Sequence, residues 1–88
     1  MRVKVKLSGG NWHDDDDLIW QGDLQHADML HPGSTFILKP AGLRAALKVM
    51  MIAVEVDDVK EAVYVFYVSP LARADEETIR DFQAKTSQ

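Results

Sequence analysis

The chain has 88 residues, with 47% hydrophobic, 27% charged and no cysteine, and a net charge of −4 at pH 7. That length allows one domain with a modest core, and small cores of this kind lean on metals, disulfides or association for extra stability. The missing cysteines exclude disulfides and thiolate metal sites together and fit a reducing compartment, so a cytoplasmic location is expected.

The charge is arranged in blocks. Residues 1–12 carry +3 from Arg2, Lys4 and Lys6; residues 13–30 carry −6 from Asp14, Asp15, Asp16, Asp17, Asp23 and Asp28; residues 31–50 carry +3 from Lys39, Arg44 and Lys48. A nucleic-acid binder needs an unopposed basic face, which the acidic block denies, so no nucleic acid is expected as a partner. Membrane contact is not expected either. MRVKVKL alternates charge with apolar residues and lacks the apolar core of a signal peptide, and Val49–Val54 is far too short to span a bilayer.

Taken in chain order, Arg2–Leu7 alternates Val3, Val5 and Leu7 against Arg2, Lys4 and Lys6, which predicts a half-buried strand over 2–7. Lysines on its outer face suit an edge strand. Ser8-Gly9-Gly10-Asn11 reads as a turn. Leu18-Ile19-Trp20-Gln21 predicts a strand over 18–21, closed by Gly22, and Asp23–Met29 is either one helical turn or an irregular loop. His31-Pro32-Gly33-Ser34 has Pro and Gly where a type II turn needs them. A strand over 35–39 follows, broken at Pro40-Ala41-Gly42.

The segment from Leu43 carries two periods at once. Leu43, Ala46, Leu47, Met50 and Met51 fit a helix, whereas Leu43, Ala45, Leu47, Val49 and Met51 fit a strand, and the β-branched residues beyond Val49 favour a strand over 44–56. Whether 41–48 is helix or strand is left open by the periodicity. As a strand, the segment shifts its apolar phase near Met50 and Met51, which predicts a bulge or a barrel corner. A hairpin connection through Asp57 and Asp58 leads to a strand over 61–69. A helix over 75–85 ends the pattern, with Asp75 as N-cap and a thin apolar stripe of Ile79 and Phe82. The fold class expected is therefore mainly β: a small, curled antiparallel sheet or open barrel of about five strands with one C-terminal helix, in a single domain spanning 1–88.

Both faces of Ala62–Val68 are apolar, so the strand needs cover on both sides. One face can be the core; the other calls for the helix, a loop or a second copy, and helix plus partial self-association is the expectation. The acidic stretch NWHDDDDLIW fails as an EF-hand, because with Asp14 first Ile19 stands where Gly is required and Gln25 where Glu is required. His13, His26 and His31 lack a helical pair spacing, so no metal is expected. A solvated loop, its repulsion offset by Arg2, Lys4 and Lys6, is the plain alternative to an acidic contact surface. Trp20 is expected in the core, and Trp12 as an aromatic anchor if exposed.

Catalysis is not expected. Nucleophile-elbow and phosphate-cradling patterns are missing, and a carboxylate pair such as Glu55 with Glu61, facing each other across the hairpin, is more often solvated than used for acid–base work. The function expected is a non-catalytic protein-interaction module that binds another protein or itself as a homo-oligomer, without cofactor. Its partner-binding residues would be Trp12, Asp14, Asp15, Asp16, Asp17, Tyr64 and Phe66. The alternatives are a small-ligand barrel with a cavity lined by Leu47, Met50, Met51 and Phe66, or a metal-dependent binder or enzyme using the His/Asp-rich segment 13–31.

Overall fold

The structure is a computed structural model that describes residues 1–9, 15–39, 42–56 and 61–86. It is a curled half-barrel: a five-stranded mixed sheet with one C-terminal helix. The strands are β1 (Arg2–Leu7), β2 (Leu18–Asp23), β3 (Thr35–Leu38), β4 (Ala45–Val56) and β5 (Ala62–Pro70), followed by α1 (Arg73–Thr86). A single 3-10 turn at Ala27–Met29 occupies the segment left between helix and loop. Within the segment 41–48 left open between helix and strand, residues 45–48 are strand and 42–44 are neither; β4 pairs with β3 from Ala45 onward, Ala45 opposite Leu38 and Leu47 opposite Phe36.

The strand order is β2-β1-β5-β4-β3. Three of the four pairings are antiparallel, and β1 lies parallel to β5, Val3 opposite Tyr64 and Val5 opposite Phe66. This corrects the edge position suggested by the lysines of β1. The strand sits between two neighbours, so its lysines are not edge guards, and Lys6 is only 1% exposed.

Two bulges bend the sheet. In β4 the register slips between Val49 and Met51, leaving Met50 as the extra residue, where the apolar phase change predicts it. In β2, Lys6 pairs with Leu18 while Val5 pairs with Trp20, so Ile19 is extra. Successive residues Ile19 and Trp20 can thus both pack against the core. Strand β2 also runs past Gly22 to Asp23. Gly22 does not end it, because the Trp20 ring lies over the glycine and fills the place of its missing side chain.

Val3, Val5, Leu47, Val49, Phe66 and Val68 form the heart of the core on the concave face, and Ile79 of α1 is buried against them. The helix starts three residues earlier than the N-cap assignment of Asp75 implies. Asp75 stands at the third helical position, where one carboxylate oxygen accepts the Ala72 N–H (3.1 Å) and the other accepts the Ala46 N–H of β4 (3.0 Å). The first bond is the returning half of a capping box; the second ties the helix start to the sheet. At the far end, Gln83 donates to the Leu18 carbonyl at 3.1 Å, so α1 reaches from β4 to the start of β2.

The predicted type II turn is present: Ser34 N–H donates to the His31 carbonyl at 2.8 Å, with Gly33 at φ 94°. The Pro40-Ala41 break and the 57–60 connection lie outside the described residues. No described helix is long and apolar enough to cross a membrane.

Candidate functional site

Alternation along β1 sends Val3 and Val5 to the concave face and Lys4 and Lys6 to the convex one. There they stand beside Val65 and Tyr67 of β5, which pair with them in the parallel ladder. Met51 and Ala53 of β4 flank the same two residues from the other side. Val65 and Tyr67 are buried in this setting, the long apolar stems of the lysines being suited to cover them. The convex cover for β5 thus comes from within the chain, while α1 packs on the concave face. A second copy is not required behind Val65 and Tyr67, which corrects the reason given for self-association.

The lysine heads are held by carboxylates. Lys4 lies 3.1 Å from Glu55 and 3.3 Å from Asp15, and Lys6 lies 3.7 Å from Asp15 and 5.7 Å above the Tyr67 ring centre. Burial works to lower the Lys4 pKa, but its hydrogen bonds to Glu55 and Asp15, with their charges, hold it above the ordinary lysine value of 10.5. Asp15 therefore acts as an internal clamp: it anchors the acidic loop on the lysines of β1. The Asp15 carbonyl accepts the Leu18 N–H and the Asp17 carbonyl accepts the Leu7 N–H, which fixes the loop's exit into β2.

The other sequence-predicted positions separate. Asp16 is exposed and Asp17 half-buried, while Trp12, Asp14 and His13 lie outside the described residues. Phe66 is 1% exposed and belongs to the core, so it offers nothing to a partner. This corrects its place among the contact residues; inward orientation at the centre of β5 is the reason. Tyr64, two residues nearer the hairpin, is half-buried on the same concave face.

Glu55 and Glu61 border one concavity of about 540 Å³ with Arg2 and Lys4, and each stands beside a cation, Glu55 beside Lys4 at 3.1 Å and Glu61 beside Arg2 at 3.3 Å. Among the described residues no group of His, Asp or Glu is placed to hold a metal ion. Leu47 and Phe66 sit in the packed core, Met50 is exposed at the bulge and Met51 faces the convex side, so these four do not enclose a common cavity.

Comparison with protein-family models, curated proteins and solved structures gives no match. The site must be judged on its own geometry.

Two features remain. The first is a cleft of about 260 Å³ between the sheet's two edge strands, bordered by Trp20 and Leu24 on one side and Phe36 and Leu38 on the other. Trp20 is half-buried there and packs against the core, as expected of it. The second is the hairpin end of the concave face, which α1 does not reach. Val54 is 52% exposed and Val56 67%, beside half-buried Ile52 and Tyr64. Sequence reasoning missed Val54 and Val56. The available signal was the mismatch in length between β4, 12 residues, and β3, 4 residues, which leaves half of β4 paired with β5 but without a second strand neighbour among the described residues.

Proposed function

We propose that the domain is a non-catalytic protein-interaction module that self-associates through the hairpin end of its concave face. The observation that carries this reading is the exposure of Val54 and Val56 on one sheet face, next to Ile52 and Tyr64, whereas the exposed Met29, Ile37 and Leu71 stand singly on other elements. Scattered apolar residues are ordinary on a surface, but contiguous ones on a rigid sheet mark a contact region. A second copy is the favoured occupant because the patch is apolar throughout and therefore self-complementary under a two-fold. Asp15 stands on the convex side engaged by Lys4 and Lys6, so steering of a basic partner is a subsidiary part of the proposal. The lack of cysteine supports a cytoplasmic setting.

The test is sedimentation of the full chain across low to high micromolar concentration, beside Val54→Lys and Val56→Lys. The wild-type chain is expected to associate with rising concentration, and each lysine to abolish association while thermal unfolding at low concentration stays cooperative. A wild-type chain that sediments as a monomer throughout overturns self-association; dimers indifferent to both lysines overturn the assigned surface.

A further inference from the structure

We propose that the second copy joins by strand pairing along the free half-edge of β4, antiparallel about a two-fold axis at Ala53, so that two half-barrels share one continuous sheet. This rests on the self-association reading above and specifies its geometry.

The free edge is defined by where β3 stops. Thr35 opposite Lys48 is the last strand pair, and Gly33 N–H to the Val49 carbonyl (2.7 Å) with Val49 N–H to the Ser34 carbonyl (2.8 Å) ends the ladder. From Met50 to Val56 β4 continues, paired among the described residues with β5 alone. Among the described residues no backbone group bonds to its other side. Such a row of donors and acceptors is a template for another strand.

The edge is also unguarded. Met50-Met51-Ile52-Ala53-Val54 contains no charge and no proline, and Met50 is 51% exposed. The true edge strands differ. β2 carries a bulge and ends on Asp23, and β3 is four residues long, with Pro32 shortly before it and Lys39 after. Charge, bulging and brevity are the usual protections against edge pairing; over its free stretch β4 has a bulge at the start and one charge, Glu55, which is already paired with Lys4.

The register follows from the span. A free edge running from 50 to 56 pairs with its own copy about residue 53, placing Ile52 opposite Val54, Met51 opposite Glu55 and Met50 opposite Val56. Opposite residues in an antiparallel pair share a face, and Ile52 and Val54 do both lie on the concave side, in line with Phe66 and Tyr64. Centring on Glu55 would set two carboxylates against each other, which is unfavourable. Centring on Met51 would drive the strand into Gly33 and Ser34, which already hold Val49. At the Ala53 register Glu55 meets a methionine and keeps its own Lys4 at 3.1 Å.

The test uses the chain's lack of cysteine. Ala53→Cys puts one thiol from each protomer across the two-fold, at a Cα separation compatible with a disulfide. Gln21→Cys, exposed on the far edge strand β2, is the control. Thiols held at contact react at an effective concentration near millimolar, so under mild oxidation at micromolar protein A53C is expected to cross-link about ten-fold faster than Q21C or more. Met50→Lys in the A53C background should remove that difference. Hydrogen exchange of the unmodified chain should show amides within 50–56 gaining protection as concentration rises. Cross-linking of A53C no faster than Q21C, or unchanged exchange over 50–56 in an assembled sample, overturns edge pairing. If Val54→Lys still dissociates that sample, the concave patch stands and only the edge geometry falls.

Discussion

Gly22 sits inside β2 opposite Val3, where an alanine would ordinarily gain about 0.5–1 kcal/mol from reduced chain entropy. Here the sign reverses. A Cβ on Gly22 would stand 2.8 Å from the Trp20 ring, closer than carbon atoms tolerate, and would push the indole off the core. Gly22→Ala is expected to cost about 1–3 kcal/mol in denaturant unfolding, in the range of overpacking, and to shift the indole N–H resonance of Trp20. A stability gain would show that the ring is free to move aside. Lys4 makes a second prediction. Its pKa is raised in the fold, so its stabilising contribution is complete below the ordinary value of 10.5 and is lost as pH rises through the higher folded value. Stability should therefore fall above about pH 10 in the native chain, and Lys4→Met should flatten that limb. A limb equally steep in the variant would assign the loss to other groups.

Among the elements, α1 docks through a narrow stripe, Ile79 buried and Phe82 half-buried, and cannot cover the whole concave face. Its position depends as much on Asp75, whose two oxygens bind a helix N–H and a strand N–H. The Ala46 donor is partly buried and the Ala72 donor exposed, and leaving a buried donor without its partner costs about 1–3 kcal/mol, so Asp75→Ala is expected to destabilise by about that amount in thermal or denaturant unfolding. Asp75→Asn should recover part of it, since one carbonyl oxygen remains. Equal loss in both variants would point to charge rather than hydrogen bonding. The periodicity of Arg73–Thr86 locates this helix, but the N-cap role assigned to Asp75 rests on local pattern alone. The strand that competes for its carboxylate lies 29 residues earlier in the chain.

For the molecule as a whole, 88 residues give a core that is sufficient but small. The helix closes one end of the half-barrel, and Leu24, Ala27 and Leu30 pack in from the connection between β2 and β3. The β4–β5 hairpin runs on past this cover with valines exposed. Association there would add buried apolar area and make the apparent stability depend on concentration, since a partner that binds only the folded form stabilises it. The expected dissociation by Val54→Lys and the A53C cross-link belong to this scale, because neither residue matters much to the fold of one copy.

The sequence alone determined what short-range chemistry controls. Alternation set the strands, the Pro-Gly pair set the turn before β3, and the phase slip at Met50 and Met51 placed a bulge where β4 bends. The balance of Lys4 and Lys6 against the aspartates was also legible in the charge blocks. Tertiary structure decided what depends on neighbours distant in sequence. The parallel pairing of β1 with β5 buried a lysine strand that looks like an edge. That same pairing put Phe66 in the core, while the pairing of β1 with β2 brought Asp15 to two lysines. The short reach of β3 along β4 left Val54, Val56 and an unpaired backbone in the open. Periodicity reports which residues share a face, but only the strand order says whether that face or edge is covered.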